Sequence, residues 1–384
     1  MIKVICITDY YLPGFKGGGP IRTIANMRTM LRDQLEISIF TRDRDLGSNN
    51  KYTGIQENCW TETAEGPIFY AAPSSFNASG LLQATKGKSY DLLYLNSFFS
   101  YRGSIELYHK FKSIRILVAP RGEFSIGALS LKSFKKQTYL KICRFMGFYN
   151  DIFWHASTIR EKEDIARQFP KSDERIYIAE DPVEIGEPLD THVTNTELND
   201  EVLRITFISR ISPIKNLDGL LRILAGTTSR IYLGIYGPIE DAEYWDNCQR
   251  LIALLPVTVE VSYKGILEPR LVSSTFAEYD LFAFPSRGEN FGHVIFESLR
   301  AGTPVLVSEQ TPWREDCYGA LTILPISNEN AWAEYLNSSA HRDLGTKIKL
   351  RKAARKYAEI FANSSGITEN NIKMFLSISG KNVF

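Results

Sequence analysis

Short apolar runs alternate with helically patterned stretches over most of the chain, and this alternation limits its folds more than any single motif. Runs at 3–8, 35–41, 68–71, 91–95, 114–119 and 152–156 read as buried strands. After the first of them Pro20 takes the first helical position, and Ile21, Ile24, Met27, Met30 and Leu31 recur at helical spacing; 160–168 reads as a further helix. Strand and helix in alternation imply a parallel sheet with helices on both faces. Between 181 and 201 the pattern lapses into acids, two prolines and Thr194-Asn195-Thr196, the composition of a linker. The plan then repeats, with strands at 203–209, 231–236 and 257–263 and helices at 217–224, 245–255 and 271–277.

At 384 residues the chain is too long for one core. The reading is α/β, with two doubly wound domains facing each other across a cleft: 1–180, a linker at 181–202, and 203–365. A helical tail at 366–384, apolar at Ile367, Ile372, Phe375 and Leu376, is expected to pack back on the first domain.

Charge excludes some classes of partner. With 45 basic and 44 acidic residues the net charge is +1, so nucleic acid is not an expected partner. Cys6, Cys59, Cys143, Cys248 and Cys317 are odd in number, scattered and never in a CxxC pair, which implies reduced thiols in a cytoplasmic compartment. No apolar run approaches the ~18–20 residues needed to span a bilayer. The first nine residues read as a strand broken at Asp9 rather than a signal peptide, so a membrane would be met from the side.

The stretch Ser286-Arg287-Gly288-Glu289-Asn290-Phe291-Gly292-His293 carries the chemistry. An apolar strand at 279–285 feeds this loop, and a helix follows it until Ala301-Gly302-Thr303-Pro304 stops it. A strand–loop–helix turn aims backbone N–H groups and a helix N-terminus at one spot, which suits a phosphate. Glu289 and Glu297 suit hydroxyls instead, and a nucleotide sugar offers both groups. Ser209-Arg210-Ile211-Ser212-Pro213-Ile214-Lys215 is the second constellation. Two cations on a loop after a strand can converge on one diphosphate. Each feature also has a plainer reading: a solvated basic loop, and a loop carboxylate with a helix-face salt bridge. A paired-carboxylate glycoside hydrolase is a further alternative.

Gly17-Gly18-Gly19, between the first strand and helix, lets backbone approach a ligand, but it is not the GxGxxG fingerprint of nicotinamide enzymes. Asp43-Arg44-Asp45 has the form of a metal-binding DxD pair and reads as a solvated loop. His293 reads as a spacer at a helix start, and His155 as part of a buried strand. With no HxH or HExxH pattern, no metal and no cofactor are expected.

From Glu289-Asn290-Phe291-Gly292 to Glu297, followed by Ala301-Gly302-Thr303-Pro304-Val305, the chain resembles family 4 retaining glycosyltransferases of the GT-B fold, which have two Rossmann-like domains. Ser209-Arg210, Lys215-Asn216, Gly237, Gly265, Asp280 and Pro285-Ser286 match the same pattern in order. Gly17 to Gly19 and Pro120-Arg121-Gly122-Glu123 are similar to a bacterial subgroup that builds surface polysaccharides, lipopolysaccharide among them. The resemblance implies that Arg210 and Lys215 neutralise the donor diphosphate and that Glu297 holds the ribose. It implies that Glu289 contacts the transferred sugar, with Gly18, Gly19, Gly265, Asn290, Phe291 and Gly292 completing the donor site. Asn96, Ser97, Arg121 and Glu123 would serve the acceptor, a glycan or lipid-linked glycan at the inner membrane face. A hexose would be transferred with retention, by front-face attack, without a metal. Many relatives carry a histidine where this chain has Asn96, and Asn96 cannot act as a base. A GT-B epimerase or hydrolase, or a silent GT-B binding subunit, are the alternative readings.

Overall fold

The computed structural model describes residues 1–130, 133–183, 202–315, 318–364 and 366–381. The chain packs as two units, Met1–Val183 with Ser365–Phe384, and Glu184–Ser364. The expected linker falls largely at 184–201, outside the described residues.

Unit 1 holds strands β1 (Ile2–Thr8), β2 (Leu35–Arg42), β3 (Trp60–Thr63), β4 (Gly66–Ala71), β5 (Leu92–Asn96), β6 (Arg115–Ala119), β7 (Phe153–Ala156) and β8 (Ile176–Ile178). Its helices are α1 (Gly19–Leu31), α2 (Ala78–Ala84), α3 (Glu106–Lys110), α4 (Ile126–Ser130), α5 (Ser133–Met146) and α6 (Ile159–Gln168). The strands form one eight-stranded sheet in the order β3-β4-β2-β1-β5-β6-β7-β8. Its strands explain the continuous apolar runs. Side chains alternate between faces, so Ile5 and Ile7 of β1 enter one core while Val4 and Cys6 enter the other.

Unit 2 is a six-stranded parallel sheet, β11-β10-β9-β12-β13-β14. Its strands are β9 (Leu203–Ile208), β10 (Ile231–Tyr236), β11 (Val259–Tyr263), β12 (Leu281–Phe284), β13 (Val305–Ser308) and β14 (Leu321–Leu324). The helices are α7 (Leu217–Ala225), α8 (Ala242–Ile252), α9 (Val272–Ala277), α10 (His293–Ala301), α11 (Glu329–Ala340) and α12 (Leu344–Ala362). The last helix, α13 (Gly366–Ser379), belongs to unit 1. There Met374, Phe375 and Ile378 enter the core shared with β1, and Asn371 Nδ2 donates to Glu180 O at 2.9 Å.

The structure corrects several sequence readings. Pro20 takes the second helical position, because α1 begins at Gly19 with Gly18 as its cap. The helix read at 245–255 starts earlier, at Ala242, where the Asp241 carboxylate accepts from Tyr244 N and caps it. Strand β3 was unread because Trp60-Thr61-Glu62-Thr63 is polar and half-buried. It is an antiparallel edge strand, tied down by Trp60 Nε1 donating to Ala84 O at 2.9 Å.

Candidate active site

Each sheet reverses its strand order once, between β1 and β5 in unit 1 and between β9 and β12 in unit 2. Open α/β sheets take ligands beyond the carboxyl ends of the strands at such a point. Both sets of candidate residues follow these strands.

In unit 2 the loops after β9 and β12 are sewn together. Asn216, in the left-handed region at φ 60°, turns its Nδ2 onto Pro285 O at 2.8 Å, and Arg287 N donates to Ile214 O at 2.8 Å. These ties bring Lys215 Nζ to 2.5 Å from Glu289 Oε1, with only 13% and 10% of the two side chains exposed. Ser286 Oγ lies 3.0 Å from the same carboxylate oxygen. The two sequence constellations are therefore one cluster. Behind it, Ser308 Oγ holds Ser286 O at 2.5 Å, and Trp313 Nε1 holds Phe291 O at 2.6 Å while its ring packs on Phe291. Ser308, the last residue of β13, and Trp313, in the loop beyond it, carry no spacing signal in the sequence and were not among the expected site residues.

Gly292, at φ 80°, is the N-cap of the nine-residue α10, and no side chain caps that end. No acid stands in its first turn, so the positive end of the helix is left for an anion. Glu297 projects from the same helix, half-buried, and Asn290 is half-buried in the loop before it. Gly265 follows β11, and its carbonyl accepts from Gly237 N at 2.8 Å, placing both turns beside β9. Gly237 has φ 136°, and a Cβ there would lie 1.9 Å from Ser209 O. Only glycine fits this approach, which fixes the start of the Arg210 loop. Arg210 Nη1 pairs with Glu240 at 3.0 Å, both side chains being partly exposed. Each of the two expected diphosphate cations rests on a carboxylate.

Unit 1 buries a polar hub at its own reversal point. Arg121 Nε donates to Asn96 Oδ1 at 2.7 Å, Nη2 to Tyr94 Oη at 2.6 Å and Nη1 to Asp181 at 2.5 Å, with 7% of its side chain exposed. Tyr94 in turn lies 2.7 Å from His155 Nδ1, and His155 Nε2 lies 2.8 Å from Ala179 O. A carbonyl only accepts, so Nε2 carries the hydrogen and Nδ1 accepts from Tyr94. Burial pushes the His155 pKa down to about 3. All three kinds of Arg121 nitrogen are thus engaged inside unit 1, and the expected acceptor ligand is an internal tie. Glu123 clamps the neighbouring loop by accepting from Ser97 Oγ at 2.8 Å, Phe98 N at 2.6 Å and Phe99 N at 3.1 Å. Ser97 has φ 135°, so the clamp holds a strained turn, and burial raises the Glu123 pKa.

The Asp43-Arg44-Asp45 loop is not solvated as the sequence implied. Asp43 is 1% and Asp45 9% exposed, and Asp45 accepts from Phe15 N and Lys16 N. It shapes the approach to Gly17, Gly18 and Gly19, which lie in unit 1 at the start of α1 with Gly18 at φ 73°. Among the described residues no group of three His, Cys, Asp or Glu is arranged to hold a metal ion.

Two doubly wound units of this topology define the GT-B fold. It is shared with Anabaena HepE, solved in complex with UDP and glucose, at TM-score 0.70 and 17% identity over 98% of this chain and 100% of that one. Residues 190–360, which make up most of unit 2, match the family described as Glycosyl transferases group 1. A D-inositol 3-phosphate glycosyltransferase of Nocardia farcinica is 30% identical over 161 residues, 38% of this chain and 34% of that one. The chain thus spans about a third of the length of that relative. An uncharacterized 41.2 kDa protein in the cps region of Klebsiella pneumoniae is 22% identical over 309 residues, 77% of this chain and 82% of that one.

Proposed function

We propose that the chain is a glycosyltransferase that moves a hexose from a nucleotide diphosphate donor to a hydroxyl of a glycan or lipid-linked glycan, retaining the anomeric configuration. The observation that carries this is the single cluster of Lys215, Glu289 and the uncapped α10 N-terminus at the reversal point of unit 2. Diphosphate bound at α10 takes Lys215 from Glu289, and Arg210 swings from Glu240 to the same anion. Glu289, released, accepts from the sugar hydroxyls, and Glu297 from the ribose. In the transfer the bond between the anomeric carbon and the diphosphate oxygen breaks as the acceptor oxygen bonds the same face. The acceptor proton passes to the leaving diphosphate, whose developing charge is met by Lys215, Arg210 and the helix end. Asn96 is occupied by Arg121 and Thr8, which accords with a mechanism that needs no base from this position.

The nucleotide sugar bound by the HepE structure, and the family match of unit 2, support UDP-glucose as the first donor to try. Surface polysaccharide synthesis at the cytoplasmic face of a membrane is the setting this reading assigns. A panel of nucleotide sugars, scored by thermal stabilisation, tests donor binding, because a ligand of the folded state raises its midpoint. Proton NMR of the product then reports the anomeric configuration. Inverted product would overturn the mechanism, and donor loss without any acceptor product would favour a hydrolase.

A further inference from the structure

Helix α5 turns an unusual face to solvent. Leu140 and Cys143 are buried and Tyr139 is half-buried, so this side of the helix packs on unit 1. The opposite side should be polar in a protein that meets only water. Instead Phe134 is 83% exposed, Phe145 90%, Met146 57% and Ile142 50%. Phe134 and Phe145 are eleven positions apart, three turns, so they stand in one line about 16 Å long on the side away from the core. Lys135, Lys141 and Arg144, all exposed, flank that line, and the helix contains no acid; Asp151 follows it five residues after its end. Among the described residues no helix is long and apolar enough to cross a membrane.

We infer that this face of α5 docks on an anionic lipid surface, lying in the interface plane with Phe134 and Phe145 inserted and the three cations against headgroups. Aromatic and aliphatic side chains interleaved with Lys and Arg are what such an interface selects. Charge decides against a second copy as the occupant. A two-fold contact through this face would bring like cations together with no carboxylate on the helix to meet them. The helix also touches the candidate acceptor loop. Lys136 Nζ sits 5.1 Å from the centre of the Phe99 ring, and the Tyr139 and Phe98 rings are 5.9 Å apart. A membrane met by α5 therefore lies next to residues 97–99, where a lipid-linked acceptor would be presented. That last step rests on the glycosyltransferase reading; the docking itself does not.

Cosedimentation of the full chain with vesicles of phosphatidylglycerol, and of phosphatidylcholine alone, tests the inference. Binding is expected to the anionic vesicles and to weaken with salt. Each cation near such a surface is worth about fivefold, so Lys135→Gln/Lys141→Gln/Arg144→Gln lowers affinity by roughly a hundredfold. Phe134→Ser/Phe145→Ser is expected to lower it by at least about tenfold. All five positions are exposed, so donor-induced thermal stabilisation should stay at the parent value in both variants. No binding to phosphatidylglycerol, equal binding to both lipids, or variants that bind like the parent would overturn the proposal. So would self-association of the parent that Phe134→Ser/Phe145→Ser abolishes while vesicle binding is absent. Vesicle binding without any donor-induced stabilisation would uphold the membrane face and count against the glycosyltransferase reading instead.

Discussion

Replacing Lys215 by alanine separates a structural ion pair from a catalytic cation. Its ammonium lies 2.5 Å from Glu289 Oε1, with 13% and 10% of the side chains exposed. A fully exposed pair is worth at most about 1 kcal/mol, and breaking a buried pair costs about 3–5 kcal/mol. This pair lies between, so Lys215→Ala is expected to cost about 2 kcal/mol of stability by leaving Glu289 uncompensated. Adding Glu289→Gln removes the stranded charge and should recover much of that loss. Catalysis follows a different rule. A preorganised donor to developing charge contributes about 3–4 kcal/mol, so Lys215→Ala should lower turnover by roughly 10²–10³ at saturating donor. Glu289→Gln cannot restore that, since no ammonium returns to the leaving diphosphate. Denaturant unfolding and nucleotide release measured on the parent, both single variants and the double variant give the two readouts. Turnover of folded Lys215→Ala within a few-fold of the parent would refute the assignment, and rescue of turnover by Glu289→Gln would show that the pair acts only structurally.

Other outcomes follow from the same geometry. Glu297→Ala should raise the donor KM about tenfold with a smaller change in kcat, because ribose contacts bind ground and transition states alike; steady-state kinetics checks the split. Gly237→Ala forces a Cβ against Ser209 O and should shift the Arg210 loop, lowering melting temperature and turnover together although Gly237 has no polar side chain to offer a ligand. Arg121→Gln strands Asp181, 4% exposed, and should cost about 3 kcal/mol or more in denaturant titrations. His155 is held neutral: its folded pKa lies below the ordinary value, so its contribution is complete above pH 6.5 and is lost as the pH falls toward about 3. The corresponding slope is up to about 1.4 kcal/mol per pH unit across that window, and stability against pH should be flatter in His155→Gln. If donor binding needs no metal, a chelator should leave nucleotide release unchanged.

Most strands of both sheets were legible because strands buried on two faces print as unbroken apolar sequence, but β8, β13 and β14, only three or four residues each, were too short to stand out. Residues 231–236 were read to the residue, since Gly237-Pro238 ends that run abruptly. The antiparallel edge strand β3 was not legible. Trp60-Thr61-Glu62-Thr63 exposes one side to water and has neither apolar continuity nor clean alternation. The start of α8 is set by the Asp241 cap, whereas the large apolar residues begin only at Trp245.

Loop chemistry divides differently. The Arg210–Lys215 and Glu289–Glu297 stretches could each be read locally, because glycines and helix signals surround them. Their union could not, since it depends on Asn216 adopting a left-handed conformation and reaching Pro285 across β9 and β12. Charge gave the least reliable signal. Asp43-Arg44-Asp45 looks solvated in sequence and Arg121 looks like an acceptor ligand, yet Asp45 folds back to order the glycine loop and Arg121 ties Tyr94 and Asn96 of β5 to Asp181. A buried charge persists only where partners meet it, and those partners stand tens of residues away. The exposed apolar line on α5 is the inverse case. Its residues have the spacing of a core helix on both sides, and only the packed side, through Leu140 and Cys143, has a core to enter. The other side needs an apolar surface that the protein itself does not supply.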